Sequence, residues 1–469
     1  LTRIILIIFF ISQLLNECKR APDYSNGKKL FENHCISCHA TAENDLFLKS
    51  WKREKSIKSI TESINFGIEK TEMPSFRNSL SKSQVFEIAS YIVKNLNDSL
   101  DHNVNTTENQ NEIYTTDKQL IKVEKVFDGL DFSNYDISVI WSIDFLDSNN
   151  LIFSNRSSGL FIFNIHDDKL FNIKNSPKVY SSEQGGLLEV KVHPNFRENK
   201  IIFLTYTDSD LLNSWIVLSE FKLFKDSLAL ENIIFKSSKQ LKISNNFGSR
   251  IAFDQKGFLY LSVGDRTLLE ECQNPNNNLG KIHRFNLDGT IPFNNPYKDE
   301  KGKPLSVYTI GHRNSQGLAL QTNSNNIWEV EHGPMGGDEL NLLEKGGNYG
   351  WPIASYGTNY NGSKITDSTH IKGTIQPKHY WVPSIAPGDV TFYSGKKMEK
   401  WKGDIFVTGL RAKSIFRLEL DSLNNVVSEE NLFGVFSRMR AIEESPDGYL
   451  YFTCELFQSK GRIYRITSL

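Results

Sequence analysis

The run from His312-Arg-Asn-Ser-Gln-Gly through His332-Gly-Pro-Met-Gly-Gly-Asp-Glu to Gly347-Asn-Tyr-Gly-Trp-Pro352 concentrates more polar chemistry than a core requires. Glycine lets the backbone approach a ligand closely, and carbonyls beside Asp338 and Glu339 are oxygen donors of the kind a hard cation such as calcium takes. Arg313 adds a fork of donors suited to a planar, polyanionic partner. Together these residue types point to a cation-assisted site for an acidic ligand. A Gly-rich loop that merely turns between strands explains any one of them but not the set.

A second constellation lies near the start. Cys35-Ile-Ser-Cys38-His39 is the C-x-x-C-H pattern of covalent c-type haem attachment, in which two thiols add to the haem vinyls and the adjacent imidazole ligates the iron. A zinc half-site and a redox C-x-x-C are the alternatives; zinc would want two further soft ligands, which His34 alone does not supply. Met73, in Thr71-Glu-Met-Pro-Ser75, is the expected second axial ligand, a choice that raises the potential and favours electron transfer over oxygen chemistry. After it, Ser81-Lys-Ser-Gln84 reads as a capping box opening a helix with Val85, Ile88, Ala89, Ile92 and Val93 on one face. With Gly27 and Phe31 in a first helix, residues 24–97 resemble a class I cytochrome c.

The chain that carries these motifs has 469 residues, enough for more than one domain, and 54 basic against 55 acidic side chains, a balance that gives nucleic acid no purchase. Residues 1–18 start with Arg3 and a short apolar run, Ile4 to Ile11, as a secretory signal does, which predicts export to the periplasm or outer surface. Cys18 stands where a lipoprotein cysteine would, making a lipid anchor one reading, although Glu17 replaces the small residue usual before cleavage. Residues 98–118 are polar and read as a linker. Five cysteines are too few for a disulfide scaffold, and the sequence leaves Cys272 and Cys454 either paired or separate.

From about residue 119 to 469 a turn–strand–strand unit recurs. Asp254–Tyr260 is followed by Gly280–Phe285, Lys402–Val407 by Ser414–Leu418, and Pro446–Tyr451 by Gly461–Arg465; Leu151–Ser154 with Gly159–Phe163 is a weaker copy. Repeated antiparallel hairpins at this scale predict an all-β propeller, and roughly 350 residues in four-stranded blades make six of them. The polar motifs then fall in loops at the mouth of the central channel. The expected architecture is a small all-α cytochrome c domain followed by a six-bladed β-propeller.

The propeller stretch resembles the PQQ-dependent sugar dehydrogenases of the soluble glucose and aldose type. The resemblance rests on the run above together with Gln184–Pro194, Gly248–Phe253, Val263–Asp265 and Trp381–Pro387, all in family order. It implies PQQ and calcium as cofactors beside the haem. Gly333 and Pro334 match the turn whose carbonyls bind the catalytic calcium. Arg313 and Asn314 match the pair touching PQQ at its reactive carbonyl, and Arg438 and Arg440 match the arginines holding its carboxylates. Arg411 stands where the family has a lysine. Gln184 and Asp265 match polar positions on the substrate side, Tyr349 and Trp351 would line the pocket, and Asp338 and Glu339 would serve a structural calcium.

One position departs from the pattern. The family's general base is a histidine four residues before the arginine that Arg250 matches, and that place holds Asn246. An amide does not take a proton from an alcohol at neutral pH, and general-base help is worth about 10²–10⁴-fold. A one-residue slip in the match, Asp265 serving as base, and a propeller that is weak or repurposed are the alternatives. The sequence therefore predicts a quinohaemoprotein dehydrogenase that takes a hydride from an aldose or alcohol and passes electrons through its haem to a respiratory acceptor. The competing reading is a glycan- or protein-binding propeller beside an independent electron-transfer cytochrome.

Overall fold

The computed structural model describes residues 24–35, 57–67, 75–77, 79–101, 111–157, 159–242, 245–360, 362–433, 436–455 and 460–469. Cys38, His39, Met73, Cys18 and the expected signal lie outside them. The chain divides into two compact units, with the boundary between Asn105 and Thr106.

The N-terminal unit is helical, with α1 at Tyr24–His34, α2 at Ile57–Phe66 and α3 at Lys82–Asp101. Leu30 and Phe31 of α1, Ile60 and Ile64 of α2, and Val85, Ile88, Ala89 and Ile92 of α3 form one buried cluster that includes Cys35. The predicted capping box closes in both directions: Gln84 N–H reaches Ser81 Oγ at 3.3 Å, and Ser81 N–H reaches Gln84 Oε1 at 2.9 Å. Gly27 lets α1 approach α3 closely, because a Cβ there would stand 2.3 Å from the Glu87 carbonyl. The segment expected to be a linker is shorter than the sequence reading of 98–118. Helix α3 runs on to Asp101, since nothing in its polar tail breaks a helix, and Asn111–Thr115 is already a strand whose Tyr114 packs edge-on to Phe433 at 4.9 Å.

The C-terminal unit is built from six antiparallel sheets of four or five strands. Their inner strands are Ile140–Phe145, Leu187–Val192, Gly248–Phe253, Ser315–Gln321, Pro387–Phe392 and Arg438–Glu444, and each touches the next around a closed ring. The last blade joins both ends of the unit: Leu120–Asp128 pairs with Gly461–Ser468, so the ring has no open seam. Blades pack face to face, which buries middle strands such as Ile405–Gly409 and Leu450–Glu455 at every position. Cys272 and Cys454 are buried thiols in different blades and do not pair with each other.

All six inner strands carry a register shift near their first residues. A bulge bends a strand and re-aims its side chains, and here it coincides with the residues that meet across the ring. Arg250 is the centre of that meeting. Its Nε donates to the Gln316 carbonyl at 2.7 Å, Nη1 to Glu189 at 2.9 Å and Nη2 to the Gly388 carbonyl at 2.7 Å, while its guanidinium lies 4.1 Å above the Trp141 ring. One buried arginine thus ties its own blade to four others.

Candidate active site

Loops at the ends of the inner strands bring together most of the residues the sequence singled out. Asn246 is buried in left-handed backbone with φ of 50°, a conformation that asparagine tolerates better than most residues. Its N–H donates to Gln184 Oε1 at 2.9 Å, and its side-chain Nδ2 donates to Asp265 Oδ1 at 2.9 Å. Asp265 is fully buried. It also accepts from Thr267 N–H at 2.8 Å and from the Trp351 indole at 3.0 Å. Burial pushes the Asp265 carboxyl up from its ordinary pKa, against the Arg313 charge and these donors. The side-chain NH2 of Asn246 is thus committed to the carboxylate behind it.

Arg313 links this corner to the Gly-Pro turn. Its carbonyl accepts from Asp265 N–H at 2.8 Å, its guanidinium lies 5.5 Å from the Trp351 ring, and Nη1 donates to the carbonyls of His332 at 3.2 Å and Gly333 at 3.0 Å. The Gly333 carbonyl, one of two expected calcium ligands, thus accepts from Arg313. Asn314 is structural on its oxygen side: Oδ1 accepts from Gly248 N–H at 3.1 Å and Gln316 Nε2 at 3.2 Å. Asp338 and Glu339 do not converge. The Asp338 oxygens accept from Gly333 N–H, Ser384 Oγ and Ala386 N–H at 2.9, 2.7 and 2.8 Å, so Asp338 braces the Gly333-Pro334 turn. Glu339 instead lines a small cavity with Glu331, Arg313, Tyr349 and Trp351. The Tyr349 hydroxyl is turned into its blade, donating to the Leu342 carbonyl at 2.6 Å.

Arg438 and Arg440 meet on a partner that the sequence reading missed. Arg438 Nε donates to Glu455 Oε2 at 3.0 Å and Arg440 Nε to Glu455 Oε1. Although burial opposes it, the charges of Arg440, Arg438 and Arg156 hold the Glu455 carboxyl down at about 2. His332 Nε2 donates to the Pro387 carbonyl at 2.6 Å. Burial, with Arg313, Arg440 and Arg438 nearby, pushes its pKa down to about 3, so the imidazole is neutral. Arg411 Nη1 donates to the Ser384 carbonyl at 2.9 Å, close to the same turn. Three arginines around one carboxylate leave a surplus of positive charge, which suits a ligand with several carboxylates. Arg156 follows the strand Asn150–Asn155 and Glu455 is the last residue of the strand Leu450–Glu455, and neither carried a sequence signal.

Comparison with known proteins identifies the family of the propeller. Residues 137–465 match the family described as Glucose / Sorbosone dehydrogenase. The chain belongs to the glucose/sorbosone dehydrogenase family. An aldose sugar dehydrogenase of Escherichia coli is 31% identical over 353 residues, covering 74% of this chain and 93% of that protein. The quinoprotein glucose dehydrogenase B of Acinetobacter calcoaceticus is 26% identical over 398 residues, covering 67% of this chain and 82% of the relative. A crystal structure of a glucose dehydrogenase superposes with a TM-score of 0.68 at 35% identity, over 73% of this chain and 98% of that one. Residues 22–92 match a second family, Cytochrome C oxidase, cbb3-type, subunit III. This glucose/sorbosone dehydrogenase propeller is thus fused to a cytochrome c domain.

Proposed function

We propose that the chain is a quinohaemoprotein dehydrogenase that oxidises an aldose or related alcohol and delivers the electrons to its own haem c. The observation that carries the reading is the arginine cluster at the mouth of a glucose/sorbosone dehydrogenase propeller. Arg438, Arg440 and Arg156 share the single carboxylate of Glu455, and Arg313 stands beside the Gly333-Pro334 turn. This donor set fits pyrroloquinoline quinone, a tricarboxylate, with Arg438, Arg440 and Arg411 as its clamps and the Gly333 and Pro334 carbonyls as calcium ligands. When bound, that group supplies the hydride acceptor, and the haem held by Cys35, Cys38, His39 and Met73 supplies the one-electron acceptor. The chain's own task is then to orient the substrate hydroxyl and receive its proton. Gln184 and Asn246 offer hydrogen bonds at that position, and Asp265, one hydrogen bond behind the amide, is the carboxylate in reach.

The second reading, a carbohydrate- or protein-binding propeller, is favoured by Asn246 itself, since Asp265 is buried behind it with three donors already satisfied. Titration of the full-length protein with PQQ and calcium separates the two. The dehydrogenase reading expects tight binding of one PQQ per chain, weakened at least about tenfold in Arg440→Ala. It also expects sugar-dependent reduction of an artificial acceptor. Absence of PQQ binding overturns it in favour of the binding module; binding without turnover leaves a cofactor site with disabled chemistry.

A further inference from the structure

The blade that carries the Gly-Pro turn contains a second polar centre, around Glu329 and His312, to which the proposed function gives no role. Glu329 and Glu331 lie two apart on the strand Asn326–Glu331 and so share one face. In the register with the neighbouring strand Asp338–Leu342, Glu329 stands opposite Asn341 and Glu331 opposite Glu339. Like charges placed directly across a ladder destabilise it, and Glu329, Glu331 and Asn341 are buried rather than solvated. Asn341 Nδ2 touches the carboxylates of Glu329, Glu331 and Glu339 at 3.1, 3.5 and 3.3 Å. His312 completes the group from the turn before Arg313. Its Nδ1 is 3.2 Å from Glu331 Oε1 and 4.0 Å from Glu329 Oε2.

Two buried oxygens in this group lack hydrogen-bond donors among the described residues: Glu329 Oε1 and Asn341 Oδ1, both on side chains with 0% exposure. The Ser315 hydroxyl lies near Glu329 without closing a hydrogen bond. Unsatisfied buried acceptors beside converging carboxylates call for a partner, and a cation answers both the open acceptors and the charge. One ligand atom each from His312, Glu329 and Glu331 lies within 4.8 Å of the others. An ion with bonds of about 2.0–2.2 Å brings such donors to mutual distances of about 3–4 Å, so small side-chain shifts would close the shell.

We propose that His312 Nδ1, Glu329 and Glu331, with Asn341 Oδ1 as a fourth donor after rotation of its amide, bind a divalent transition-metal ion of the zinc or manganese class. The imidazole excludes calcium as the preferred occupant, and two carboxylates with one neutral imidazole balance the charge of a dication. His312 Nε2 is 2.8 Å from Thr309 Oγ1, a hydroxyl that can accept Nε2–H once the Nδ1 proton now facing Glu331 gives way to a metal ion. The ion would be structural, acting on the active site through Glu331, whose Oε2 accepts Arg313 N–H at 2.5 Å and so holds the turn presenting Arg313 and Asn314.

The test is metal content of the full-length protein produced with added Zn²⁺, measured by elemental analysis alongside haem iron. The expected result is about one zinc per chain beyond the haem iron, reduced at least about tenfold in Glu329→Gln. Zinc absent from the wild type, or retained equally in Glu329→Gln, overturns the assignment and leaves protons as the cluster's counter-charge. Should that variant fail to fold, zinc-edge X-ray absorption of the wild type decides. Imidazole with oxygen neighbours supports the site, whereas sulfur ligation assigns the zinc to the cysteine motif and refutes it.

Discussion

Arg250→Met is the perturbation that most directly tests how the propeller axis is held. The side chain is 3% exposed and carries a carboxylate contact to Glu189 at 2.9 Å, a second to Asp389 at 3.3 Å, and hydrogen bonds to two carbonyls from other blades. Breaking a buried ion pair from one side costs about 3–5 kcal/mol, and each orphaned carbonyl adds about 1–3 kcal/mol before relaxation. Methionine keeps much of the volume over Trp141, so a net loss of about 4–6 kcal/mol at pH 8 is expected. The cost should depend on pH. Burial already raises Glu189 to about 7 and Asp389 to about 6, against the pull of Arg250. An acid raised on folding favours the folded state at low pH and loses that contribution as pH climbs through its folded value. Without the arginine both carboxyls rise further, so the variant loses more than the wild type between pH 5 and 8. Urea unfolding of the propeller, followed by tryptophan fluorescence at pH 5.5 and pH 8, measures both effects. A loss under about 1 kcal/mol, or one independent of pH, would show that the axis does not depend on this residue.

Asn246→His should place an imidazole against Asp265 and raise turnover by about 10²–10⁴-fold, because histidine also tolerates left-handed backbone. Steady-state assays with an artificial acceptor check this, and unchanged turnover would refute the assignment of the position. Glu455→Gln should destabilise the protein at neutral pH. Because the folded carboxyl sits at about 2, below its unfolded value, the deficit is full above about pH 4.5 and vanishes as pH falls towards 2, readable in paired urea titrations. Gly27→Ala should cost the helical unit at least about 1–3 kcal/mol, because the added methyl meets the Glu87 carbonyl at 2.3 Å; circular dichroism during unfolding reports it.

Much of the architecture was legible because its signals are local. The Ser81–Gln84 capping box, the apolar face of α3 and the recurring hairpins are each written in a few consecutive residues, and all four quoted hairpins form antiparallel pairs. The bulges were not legible, since a register shift depends on the partner strand. The axis built on Arg250 was missed for the same reason, as its partners come from four other blades. Asp338 was read as a metal ligand because adjacent acids suggest chelation. The strand alternation separates it from Glu339 and spends it on Gly333, Ser384 and Ala386. Glu329 and Glu331 did carry a readable signal, two acids on one strand face, but buried use of that pattern shows only when His312 arrives from another segment.

The central claim is that a sugar oxidised at the propeller reduces the haem of the same chain. Its most direct test is stopped-flow absorbance of the oxidised haem after the full-length protein, loaded with PQQ and calcium, meets an aldose. The account predicts haem reduction that requires PQQ and sugar together and whose first-order rate is unchanged on diluting the protein, as electron transfer within one chain demands. A haem that stays oxidised with every aldose offered, yet is reduced at once by a chemical reductant, would contradict it.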